Sequence, residues 1–223
     1  MAKRYGMLLF FLVLMLAAAR GAVAEAQSDQ SVINRWTKER VYTDRKYGGE
    51  LKVRATFYSS EVIEAIVQDE AERNLWTKEE MENYKYQFLK SLKLDDFIPV
   101  RLEFDNSGPS MHMSPFGSQV ALWVGGKKYE PVEYDTRFNI KLLGQRDGLV
   151  YFPKYDEKTG KPLIGRDMTV KLTINGGISA LTMGKTIEFL WDIKKENEGP
   201  KIAGKAEARL EMDRLIKRLE KLN

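Results

Sequence analysis

The sequence predicts a mainly β chain: an antiparallel immunoglobulin-like β-sandwich, with a two-helix insertion after the first strand and a C-terminal amphipathic helix. Three observations predict it. Apolar and polar residues alternate through a series of short segments, the period of a half-buried strand. Turn residues separate many of these segments, and helices do not alternate with them, which argues against a parallel sheet. Helical spacing appears in only two places, around residues 60–93 and 205–223.

Taken in order, the chain opens with Lys3 and Arg4, an apolar run Met7–Ala19 and the small-residue box Gly21-Ala22-Val23-Ala24-Glu25-Ala26. This is the order of a secretory signal peptide, residues 1–24, with cleavage after Ala24 or Ala26. The apolar run is about 20 Å long as a helix, short for a hydrocarbon core of roughly 30 Å. Cleavage after Ala24 removes Lys3, Arg4 and Arg20 and lowers the formal charge from +4 by three, to +1. A near-neutral chain gives no electrostatic case for nucleic acid or for an anionic membrane. No later stretch has the length and apolarity of a membrane span, so no stable membrane insertion is expected after cleavage. The absence of cysteine excludes disulfides, thiolate metal sites and a cysteine nucleophile.

Residues 25–48 read as a polar lead-in with one short helix or strand around Trp36, and 49–194 as the β domain. Leu51, Val53, Ala55 and Phe57 alternate with Lys52, Arg54, Thr56 and Tyr58. Ser60 then opens a helix with Ile63, Ile66 and Val67 on one side, ended near Asn74–Trp76. Thr77 and Glu80 have capping-box spacing, and Met81, Tyr84, Phe88 and Leu92 form the stripe of a second helix. Further strands are expected at Ile98–Phe104, Val120–Val124, Lys127–Glu133, Phe138–Leu142, Leu149–Pro153, Val170–Ile174 and Ile187–Ile193. Gly125-Gly126 and Asp147-Gly148 read as hairpin turns. Residues 195–204, with Gly199-Pro200, read as a linker. In the last segment Ala208, Met212, Leu215, Leu219 and Leu222 recur at steps of four and three. A free helix of two heptads is marginal, so this one must dock on its own domain, a second copy or another partner.

The landmarks Trp36, Tyr42, the strand 51–57, the helical insertion, the strand 98–104, Trp123, Tyr151-Phe152-Pro153 and Phe189-Leu190-Trp191 resemble a group of uncharacterised exported bacterial envelope proteins. Many of these are lipoproteins. The resemblance implies a sandwich and an envelope location, and it supplies no activity. This chain departs from the lipoprotein members in lacking the lipid-bearing cysteine.

Candidate chemistry is sparse. His112 is the only histidine, which excludes a two-histidine zinc site, and no nucleophile-elbow motif accompanies it. Met111-His112-Met113, in the segment 106–117, offers soft ligands suited to Cu(I); the alternative is a loop whose methionines cap the sandwich. Adjacent carboxylates such as Asp95-Asp96 and Asp156-Glu157 diverge on helices or strands and make poor acid–base pairs. Trp191 shares a face with Phe189 and Ile193 and reads as core. Trp76 and Trp123 fall outside such faces and are candidate contact residues, together with Met212, Leu215, Leu219 and Leu222. The expected function is non-enzymatic: an exported binding or structural accessory protein of the cell envelope, with no cofactor. Its expected partner is an envelope protein or a second copy joined through the C-terminal helix. The alternative is a periplasmic small-molecule or Cu(I) carrier using Met111, His112 and Met113.

Overall fold

The computed structural model describes residues 29–44, 48–165, 167–193 and 204–220. The signal segment, most of the linker and Leu222 lie outside the described residues.

Alternation does its predicted work in both sheets. Leu51, Val53 and Ala55 of β2 (Glu50–Phe57) are buried, while Lys52 and Arg54 face outward. The same holds for Val170, Leu172 and Ile174 in β8 (Met168–Ile174), and for Ile187, Phe189 and Trp191 in β9 (Ile187–Ile193). The remaining strands are β1 (Thr37–Thr43), β3 (Phe97–Met111), β4 (Val120–Val124), β5 (Lys127–Tyr129), β6 (Glu133–Tyr134) and β7 (Leu142–Pro153). They form two antiparallel sheets, one ordered β1-β2-β3-β7-β6 and the other β5-β4-β8-β9. Side chains from both sheets, such as Val53 and Phe104 on one and Leu122 and Phe189 on the other, share one apolar core. Trp36 ties the two together. Its ring stacks on Phe57 at 5.8 Å, and its carbonyl accepts a 2.8 Å hydrogen bond from Trp191 Nε1.

Several expectations are corrected. The short element expected around Trp36 proves to be two, a helical segment α1 (29–36) and the edge strand β1, so the insertion follows the second strand and the sheet begins before residue 49. β3 does not stop at Phe104. Asn106 is buried, donates from Nδ2 to the Pro109 carbonyl at 2.9 Å and accepts from the Gly108 amide at 3.1 Å. This local bonding carries the strand through an irregularity to Met111, which pairs with Leu142. Phe138 lies on a 3₁₀ turn (Thr136–Asn139) begun by the Asp135 carboxylate, which accepts from the Arg137 amide.

Asp147-Gly148 is not a turn. Both residues lie inside β7, opposite Glu103 and Leu102. A Cβ at Gly148 would meet Asp135 Cβ at 2.7 Å and the Phe138 ring at 3.0 Å, so glycine is required by close approach. Gly125-Gly126, by contrast, makes the turn its sequence predicts, with φ of 56° and 79° at the two positions.

Gly148→Ala is therefore expected to destabilise the protein by about 2 kcal/mol through overpacking, measured by urea unfolding. Trp191→Phe is expected to cost a similar ~2 kcal/mol, because it opens a gap and strands the Trp36 carbonyl.

Candidate interaction site

The insertion is two helices, α2 (Ser60–Asn74) and α3 (Lys78–Ser91). The Ser59 hydroxyl accepts from the Val62 amide at 3.3 Å and starts α2. Leu75, in the left-handed region at φ 54°, ends it. Thr77 and Glu80 then form the predicted capping box, with Thr77 N donating to Glu80 Oε2 at 2.7 Å and Glu80 N to Thr77 Oγ1 at 3.3 Å. The short helix Phe116–Gln119 is α4, and the C-terminal helix, Lys205–Glu220, is α5.

α5 packs on α3. Ala206 and Leu210 join Ile63, Val67, Tyr86, Leu89 and Leu92 in a second, smaller core. Polar contacts surround it and ascend together along both helices, from Ala206 at Glu82 to Asp213 at Tyr86 and Lys90, so the two run parallel. Lys85 is at the centre, only 2% exposed. Its ammonium pairs with Glu64 of α2 and, at 2.5 Å, with Glu207 of α5. Three helices thus meet at one charge. Tyr86 Oη donates to Asp213 Oδ2 at 2.5 Å, and the Arg209 guanidinium lies 4.0 Å from the Tyr86 ring centre. Lys217 Nζ donates to Asp95 Oδ2 at 2.8 Å, and Arg214 covers the Tyr155 ring.

The start of α5 has no side-chain cap of its own sequence to use, since Gly204 precedes it. Glu82 of α3 serves instead: its Oε2 accepts from the Ala206 amide at 3.0 Å. A carboxylate at a helix N-terminus satisfies an orphan donor and complements the helix dipole.

The docked stripe is Ala206, Leu210, Asp213 and Lys217. The expected seam is Ala208, Met212, Leu215 and Leu219, two residues out of phase. Two residues turn a helix by about 200°, so the seam points away from the domain. Met212 is 59% exposed, Leu219 63%, and Leu215 and Ile216 are half-exposed. The expectation that α5 docks is met for the domain itself, yet through a mixed stripe of two small apolar contacts and several charged ones, with the longer apolar seam left outward.

Other candidate residues fall elsewhere. Met111 and Met113 are 0% and 1% exposed, in the main core, whereas His112 is exposed. The three side chains do not converge, because alternation along an extended chain sends His112 to the opposite side. Among the described residues no cluster of three histidine, aspartate or glutamate side chains could hold a metal ion. Trp76 is half-buried at the tip of the insertion, 4.7 Å from the Tyr84 ring, which stacks on Phe88 at 5.9 Å. Trp123 lies on the outer face of β4; its Nε1 donates to Thr173 Oγ1 at 3.0 Å. These two tryptophans belong to different layers and form no common patch.

Clefts among the described residues include two of contrasting character. One, about 560 Å³, is walled by charged groups already matched to each other: Arg101 with Asp147 at 2.9 Å, Arg137 with Asp135 at 2.6 Å, and Lys93 with Glu133 at 2.6 Å, the last pair at its rim. The other, about 360 Å³, is apolar, between Trp36, Phe57, Ile98, Pro99 and Ile164, with Lys154 on its wall. Burial, reinforced by Arg214, lowers the Lys154 ammonium below its ordinary pKa, and that ammonium donates to the Leu94 carbonyl.

Comparison with protein families, curated proteins and solved structures found no match to this chain. Among the described residues no helix is long and apolar enough to cross a membrane.

Lys85→Met is expected to leave Glu64 and Glu207 facing each other without a cation and to cost about 2 kcal/mol. Calorimetry reads the loss, and proteolysis beyond residue 204 should accelerate.

The α5 attachment is also expected to depend on pH. The Tyr86 hydroxyl holds Asp213 below its ordinary value. Burial pushes Asp95 up, but Lys217 and backbone amides pull it further down. Both pKa values are depressed, so the stabilisation these groups give is complete above their ordinary 3.8 and is lost as pH falls below it. Glu64 runs the other way: burial raises it, so its protonation relieves a cost. Amide-exchange protection of residues 205–220 should hold from pH 6 to about 4.5 and drop near pH 3.

Proposed function

We propose that this protein is a non-enzymatic, exported accessory component of the bacterial cell envelope that works by binding, with the outer face of α5 as its contact surface. The observation that carries the reading is the inverted use of α5. A helix that docks through charges while exposing Met212, Leu215, Ile216 and Leu219 leaves its apolar stripe for something else. Export is supported by the charged, apolar and small-residue order of residues 3–26. The resemblance to exported envelope proteins points the same way. The immunoglobulin-like form of the sandwich is likewise part of this proposal, supported by two antiparallel sheets that share one core.

Met212→Asp/Leu215→Asp places two charges on the exposed seam without touching the docked stripe. In-cell crosslinking of the tagged protein should give recurrent envelope products with the parent chain and lose them with this variant. Unchanged products with the variant, or a protein retained in the cytoplasm, would sink the proposal.

A second reading, a small-molecule carrier, is favoured by the apolar cleft with Lys154 on its wall. That chemistry fits an apolar molecule with an anionic end and does not involve the Met111–Met113 segment. Ile98→Trp should then abolish retention of such a ligand, measured by native mass spectrometry.

A further inference from the structure

The outer seam of α5 carries its own complement. In heptad terms Ala208 and Leu215 occupy one kind of seam position, and Met212 and Leu219 the other. When two such helices pair antiparallel, each kind packs against the opposite kind. Setting Met212 against Leu215 of a second copy fixes the register, and Ala208 then faces Leu219. Small meets large in the outer layers, and two long side chains meet in the central ones. The same register brings Glu211 beside Arg218 of the second copy, and by symmetry Arg218 beside Glu211. A parallel pair would instead set Ala208 on Ala208 and leave Glu211 opposite Ile216.

We infer that α5 binds a second copy of this chain as an antiparallel helix pair, with Glu211 and Arg218 matched across the two-fold axis; this rests on the reading that the seam is the contact surface. The groups needed are available. Arg218 is exposed and makes no ion pair or hydrogen bond among the described residues. Glu211 is exposed and, among the described residues, bonds only within its own helix, to Arg214 at 2.7 Å. The docked stripe faces about 200° away, so each body lies on the far side of its own helix and the axis is clear. A lipid surface fits less well, because the seam is bordered by Glu211 and Arg218 together and not by a uniformly basic face. Two heptads bury less than the roughly 1,600 Å² of a standard interface, so the pair is expected to be weak and to form in a concentration-dependent way.

Sedimentation of the chain beginning at Glu25, from about 1 to 500 μM at low salt, tests this. The parent is expected to dimerise within that range. Leu219→Asp, at an exposed position, should keep the same circular dichroism and stay monomeric throughout. Arg218→Glu should weaken the dimer about tenfold, and Glu211→Arg/Arg218→Glu should restore it to within about threefold of the parent, since the exchanged charges match again only in this register. A parent that is monomeric at every concentration overturns the inference. If it is monomeric while Leu219→Asp still abolishes in-cell crosslinks to another envelope protein, the seam remains the contact surface and only the second copy is excluded. A dimer that the double exchange fails to restore overturns the antiparallel register.

Discussion

The Lys85 ammonium is the constraint on which the helical half of this protein depends. Removing an ammonium from water costs several kcal/mol unless carboxylates replace the lost hydration. Glu64 and Glu207 do so from two different helices. Movement of either α2 or α5 off α3 takes away one of the two carboxylates that compensate that charge. The apolar part of the contact, with Ala206 and Leu210 from α5, is small. The placement of the C-terminal helix is therefore decided by electrostatics to an unusual degree.

That decision shapes the surface. A helix of this length docks by whichever stripe finds complementary groups on its neighbour. α3 offers Glu82, Lys85, Tyr86 and Lys90 along one side, a polar surface that matches Glu207, Asp213 and the helix N-terminus. It does not match Met212, Leu215 and Leu219, which turn outward. The two-sheet body supports this arrangement from below. β2 and β3 hold the ends of the insertion in register, and Asp95, just before β3, receives Lys217.

How much was legible varies with the range of the interaction. The β strands 51–57, 170–174 and 187–193, the Gly125-Gly126 turn and the Thr77 capping box depend on neighbouring residues and on alternation, and they were readable. The extension of β3 to Met111 was not, because it rests on the buried side chain of Asn106. Gly148 read as a turn because glycine signals one locally; its true role, making room for Asp135 and Phe138, involves residues ten and more positions away. Of the candidate site, Met212, Leu215 and Leu219 were named from their heptad spacing. Glu82, Lys85, Tyr86 and Asp213 were not, since solvated and buried charges look alike in a sequence.

The sequence by itself determined the local grammar: which segments alternate, where helices start, and that the last helix carries an apolar stripe too short to stand alone. Periodicity expresses the geometry of one element, so it identifies a stripe without saying what faces it. Only the tertiary structure decided that Met111 and Met113 enter the core apart from His112, and that α5 turns its polar stripe inward. The first outcome follows from alternation at the end of β3, whereas the second depends on polar groups brought together from positions more than a hundred residues apart, such as Lys85 with Glu207 and Tyr86 with Asp213.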